Sequence, residues 1–206
     1  MDQSGSTGDP GAPTPPASGW AAPPSPPVQA GPAGFVYADV PNRAIAYIID
    51  AIIVGIIASI VGAVLGGVGL STGTFANGTL NFTLNPVGLL VNAVVGAAIS
   101  AAYFIYTWTS MRGTVGMKAL GMQIGNAGDG KTMTMDQASR RWLIIALPGI
   151  LTQVLLVLGS VGYLIGLVAF GWFIYLLWTT YSSPTKQGFH DKYANTMVVK
   201  AIRSAG

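Results

Sequence analysis

The chain has 206 residues, of which 51% are hydrophobic and only 8% charged, with a mean hydropathy of +0.55 and a formal net charge of +3. Soluble domains carry roughly 25% charged residues, so this composition excludes an ordinary soluble domain and points to a membrane protein. Cysteine is absent, which excludes disulfides and thiol chemistry, and the basic residues flank apolar runs instead of lining one soluble face, which excludes a nucleic-acid footprint.

Residues 1–33 hold nine of the thirteen prolines, mixed with Gly, Ala, Ser and Thr. Proline donates no backbone hydrogen bond and little here is apolar enough to bury, so a disordered cytoplasmic tail of polyproline II character is expected. Its Pro-Pro pairs are candidate docking sites for a protein partner; a solvated spacer is the simpler reading. Phe35 and Tyr37 follow as interfacial anchors.

The hydropathy predicts an all-α membrane protein, a bundle of about four transmembrane helices at about 43–70, 87–109, 142–158 and 163–181, within a domain spanning 34–200. Residues 201–206 form a short C-terminal tail. Gly62 and Gly66 make a GxxxG that suits close helix approach. Residues 71–85 are polar and uncharged and read as a short external loop. The connection at 110–141 carries Arg112, Lys118, Lys131, Arg140 and Arg141. Within it Asp129-Gly130 is a hairpin signal, with Thr132 to Met135 as the returning strand. The span at 142–158 is short and holds Pro148; Trp172, Tyr175 and Trp178 form an aromatic stripe on the next. Basic residues cluster in the 110–141 loop and the C-terminal tail and are missing from 71–85 and 159–162. By the positive-inside rule both termini are cytoplasmic.

One charge stands out. Asp50 lies seven residues beyond Arg43 inside the first apolar run. Seven helical residues turn about 700° and rise about 10 Å, so the two share a face but do not touch. An ionisable group at that depth is costly and is a functional candidate by default. It could be protonated, pair with Arg140, Arg141 or Lys192, or bind a small cation in a wet cavity. The bland reading is a clasp that staples the first helix to a cytoplasmic cap through fixed ion pairs.

No catalytic set is visible. Gly125 to Thr132 satisfies the GxxxxGK[ST] pattern, but a phosphate loop needs a strand before it and a helix directly after it within a large α/β domain. A 32-residue connection has no room for that, and a turn is expected instead. His190 is the sole histidine, so neither a metal nor another cofactor is expected.

Three segments resemble the RDD family of small bacterial membrane proteins, named for one arginine and two aspartates. They are Gly34-Phe35 with Asn42-Arg43-Ala44-Ile45-Ala46-Tyr47-Ile48-Ile49-Asp50, the stretch Gly113-Thr114-Val115-Gly116-Met117-Lys118-Ala119-Leu120-Gly121, and the closing Gln187-Gly188-Phe189-His190-Asp191-Lys192-Tyr193 through Val199. The family usually has Gly-Lys where this chain has Gly116-Met117. The resemblance implies a multi-span domain in the bacterial inner membrane, with Asp191 as the second aspartate and the tail returning to the inner mouth near Arg43. It also implies a mostly undefined activity, with transport proposed and cation–proton exchange suggested for some members. On that reading Asp50 is the proton or cation site, Arg43 and Asp191 tune it, and a second copy of the chain is a candidate partner. The alternative is a non-enzymatic membrane scaffold whose Pro-rich tail recruits proteins.

Overall fold

The structure, a computed structural model, describes residues 31–64, 71–158 and 160–201. Its long helices are α1 (Val40–Val64), α2 (Pro86–Met111), α4 (Met135–Leu155) and α5 (Ser160–Ser182), and its short ones α3 (Val115–Ala119) and α6 (Phe189–Tyr193). The strands are β1 (Phe35–Tyr37), β2 (Ser71–Ala76), β3 (Thr79–Leu84), β4 (Met122–Asn126) and β5 (Thr196–Ala201). The tail expected at 1–33 falls almost wholly outside the described residues, as do Gly66 of the GxxxG and the expected end of the first helix.

Three helices are long and apolar enough to cross a membrane, Val40–Val64, Pro86–Met111 and Val161–Ser182. On α1 the row Ile48, Ile52, Ile56 and Ile60 is more than half exposed, as are Val94 on α2 and Leu164, Leu167 and Val168 on α5. An apolar surface of that extent marks a membrane or protein interface, and on helices of spanning length it suits lipid. The fourth expected span differs. Helix α4 has 21 residues, about 31 Å of helix, but it starts at Met135 and carries Asp136, Arg140 and Arg141 in its first two turns. The cause is local. Thr134 accepts a hydrogen bond from the Gln137 amide, and the Gln137 side chain accepts one from the Thr134 amide, a reciprocal cap that starts the helix there. Thr132 to Met135 is therefore not a returning strand.

Two sheets were not foreseen as such. The 71–85 segment is a hairpin, β2 against β3 in register from Ser71–Leu84 to Ala76–Thr79. Its Asn77-Gly78 turn places both residues at positive φ, 53° and 76°, the geometry a two-residue hairpin needs. At the other end of the bundle β5 lies between β1 and β4, antiparallel to both. The segment before α1, the connection after α2 and the end of the chain thus form one cap. Met122, Ile124 and Val198 of that sheet are almost fully buried against Ala46, Phe104, Trp108 and Met117. The Gly125–Thr132 segment closes as a turn: the Asn126 amide donates to the Lys131 carbonyl at 2.8 Å and Lys131 itself is exposed beside Asp129.

Helix α4 packs along both α2 and α5, and α1 along α2 and α3, whereas α1 and α5 meet only sparsely. At the α4–α5 corner, a Cβ on Gly162 would lie 2.6 Å from the Leu156 Cα. Only glycine permits that turn.

Candidate functional site

Two buried carboxylates face the junction between bundle and cap. Asp50, 2% exposed, sits on α1 one turn beyond Ala46. Its Oδ1 accepts hydrogen bonds from the Tyr103 hydroxyl at 2.7 Å and the Gly116 amide at 2.8 Å, and its Oδ2 accepts one from the Thr114 hydroxyl at 2.5 Å. The two hydroxyls are themselves held. Thr114 Oγ1 accepts from the Met117 amide and Tyr103 Oη from the Val115 amide. Asp50 therefore ties α1 to α2 and to the start of α3. No cation pairs with it among the described residues, so none of the three candidate counter-charges serves that role.

Asp191 is fully buried on α6. Its Oδ2 meets Arg43 Nη1 at 2.7 Å and accepts the Gly188 amide at 3.0 Å, while Oδ1 pairs with Arg141 Nη1. Arg43 also donates from Nε to the Ala38 carbonyl at 3.0 Å, and Arg141 from Nη1 to the Thr196 hydroxyl at 3.0 Å. The Arg141 guanidinium lies over the Trp108 ring, 5.2 Å from its centroid. Of the other candidates, Arg140 pairs with Asp136 on its own helix and Lys192 is exposed. The structure thus brings Arg43, Asp191 and Arg141 together and gives Asp50 separate partners.

Charge fixes how this cluster responds to acid. Burial pushes the His190 imidazole down to about 3, against the pull of Asp191 and with the push of Arg141 and Arg43. Burial alone would raise the Asp191 carboxyl, but Arg141 and Arg43 hold it well below the usual carboxylate range, with His190 adding to this only where protonated. An unfolded histidine takes up its proton near pH 6.5, whereas the folded one stays neutral to about pH 3. Between those values the unfolded chain binds more protons, so this contribution is complete above about pH 6.5 and is lost as pH falls towards 3. Asp191 adds its own loss below about pH 4. The thermal transition of the purified protein should fall between pH 7 and 4.5, and His190→Gln should flatten that slope. An unchanged slope in the variant would assign the effect to other groups.

Beside Asp50 lies a cavity of about 110 Å³ bordered by Arg43, Asp50, Arg141 and His190, with Phe104, Ile145 and Phe173 on its apolar side. Its floor is the cap, through Thr114, Met117 and Val198. Tyr47 stacks between Phe104 and Phe173, with centroids at 6.2 and 5.6 Å. Sequence reasoning gave Tyr103, Trp108, Thr114 and Gly116 no contact with Asp50 or Asp191. Thr114 is the N-cap of α3, two residues before Gly116. Among the described residues no cluster of three or more metal-ligating side chains occurs.

No curated protein and no solved structure matches the chain. The sequence model described as RDD family matches residues 37–195, from β1 to the end of the cap's α6 segment and well over half of the sequence. The match takes in Arg43, Asp50 and Asp191, and the chain belongs to the RDD family.

Proposed function

We propose that this RDD-family chain is a bacterial inner-membrane protein that binds and moves a small solute at the cavity between bundle and cap, with Asp50 as its intramembrane ionisable group. The observation that carries the reading is the cavity itself. Four ionisable side chains from α1, α4 and α6 border it within an otherwise apolar bundle, and such groups are retained in membranes chiefly where they serve a pathway or each other. The cap then faces the cytoplasm, because the basic residues of 110–141 and of the C-terminal segment lie at that end. A single copy has no visible internal repeat of the kind alternating-access transporters pair, so a second copy is part of the proposal.

A second reading is favoured by one specific observation: every carboxylate oxygen of Asp50 and Asp191 already has a donor. On that reading the charges are a clasp, and the protein is a scaffold whose segment 1–33 recruits partners. Proteoliposomes carrying a pH-sensitive dye separate the two when pulsed with sodium or potassium. Transport predicts that Asp50→Asn lowers cation-driven proton flux at least tenfold while removal of 1–33 does little. A variant with undiminished flux and only a lower thermal transition would leave the clasp.

A further inference from the structure

The polar wall of the cavity is not evenly satisfied. The oxygens of Asp50, which borders the cavity, are taken by Tyr103, Thr114 and Gly116, and those of Asp191, the counter-charge of the lining residues Arg43 and Arg141, by these two and Gly188. The wall residues with spare hydrogen-bonding capacity include Arg141 and Trp108. Arg141 is 6% exposed and Trp108 4%, and both border the cavity. Arg141 Nε, Trp108 Nε1 and His190 Nδ1 are buried and have no partner among the described residues. The first two are N–H groups that can only donate, and the imidazole nitrogen donates or accepts with its tautomer. An unmatched buried donor costs about 1–3 kcal/mol, and only an acceptor removes that cost. Directly beside Arg141 a cation would add charge to two guanidiniums that share one carboxylate, and the Trp108 face that could receive it is already covered by Arg141.

Charge and shape agree. Two guanidiniums share the single carboxylate of Asp191. The opposite side of the cavity is apolar, formed by Phe104, Ile145, Ala146, Phe173 and Leu177. Its volume of about 110 Å³ is several times the roughly 15 Å³ that one water needs.

We propose that the cavity takes a single-chain anionic amphiphile, with its carboxylate or phosphate against Arg141 and Trp108 and its hydrocarbon chain along Phe104, Ile145 and Phe173. The proposal rests on the reading of the cavity as a ligand site and names the ligand class. It assigns Arg141 as the group that recognises charge. Basic pockets between membrane helices are a known way to hold anionic head groups.

The test uses the full chain in nanodiscs of zwitterionic lipid and reads tryptophan fluorescence, because Trp108 and Trp142 both border the cavity. The probes are 10-bromodecanoate, 10-bromodecanol and 10-bromodecyltrimethylammonium, which differ only in the head. Bromine quenches indole at contact, and non-specific partitioning into lipid is common to all three. The expected result is saturable quenching by the carboxylate alone, weakened at least tenfold in Ala146→Phe, which fills the apolar side without touching the charges. Arg141→Lys, which keeps the charge and removes the Nε donor, should weaken it as well. Competition separates the two sources of the head. Displacement by lysophosphatidylglycerol and not by decanoate identifies a lipid, the reverse identifies a free fatty acid, and acetate displaces neither. Saturable, Ala146-sensitive quenching by the ammonium probe instead would overturn the anionic class and leave the cavity as a ligand site. No saturable, Ala146-sensitive quenching by any probe would overturn both.

Discussion

Gly116→Ala should cost about 3 kcal/mol or more and lower the thermal transition in detergent by roughly 6–12 °C. The reason is backbone against backbone. A Cβ on Gly116 would sit on the Ala46 carbonyl oxygen, 3.0 Å from its carbon and 3.1 Å from the Ala46 Cα. No side chain can swing away to relieve this, so α3 must retreat from α1. The retreat takes the Gly116 amide and the Thr114 hydroxyl off Asp50, leaving a buried carboxylate short of donors, which adds about 1–3 kcal/mol. Gly96→Ala is the control. It lies inside α2 with nothing within 4 Å of the added carbon, so it should be neutral or stabilising by up to about 1 kcal/mol. Equal losses in the two variants would contradict the close approach of α3 to α1.

Asp191→Asn should be similarly damaging, by about 3–5 kcal/mol. The net worth of a buried ion cluster is small, because desolvation of its members offsets their attraction. Removing one member is different. Here the amide would leave Arg43 and Arg141, both nearly buried, facing each other with no counter-charge. The two arginines come from the first turn of α1 and the second turn of α4, and Asp191 from the cap, so the loss should loosen the whole junction. Arg141→Met in the same background should restore part of it, because it removes the repulsion and fills the volume with a flexible apolar chain. A double variant as unstable as the sum of the singles would mean that the three residues do not form one network.

The depth of Asp50 and its shared face with Arg43 were legible from helical spacing and hydropathy alone. Its partners were not. Tyr103 and Thr114 lie 53 and 64 residues away in sequence, and nothing in their local pattern distinguishes a hydrogen-bond donor to a carboxylate from an interfacial aromatic or an ordinary cap. Asp191 entered through the family resemblance, since a periodicity argument cannot reach across the chain to the end of the bundle. The cap sheet was hidden for the same reason: β5 pairs with β1 across more than 150 residues, and β1 is only three residues long. Around 132–135 two local signals competed. The alternation of Thr and Met imitates a strand, but Thr134 and Gln137 cap a helix, and the cap prevailed. The hairpin at 71–85 could have been read, because Asn77-Gly78 between alternating Thr and apolar residues is the strongest short hairpin signal.

The two aspartates hold a cap against four helices, with a cavity of charged wall at the cap end of the bundle. Accessibility of that cavity is the most direct test. The chain has no cysteine, so Ala146→Cys on the cavity wall supplies a single reactive thiol. In inverted membrane vesicles this thiol should react with a small water-soluble maleimide, and Gly116→Ala, which displaces the cap, should change the rate. A thiol that stays unreactive under native conditions and reacts only after denaturation would mean that the cap end is packed shut, and that the charges serve the fold alone.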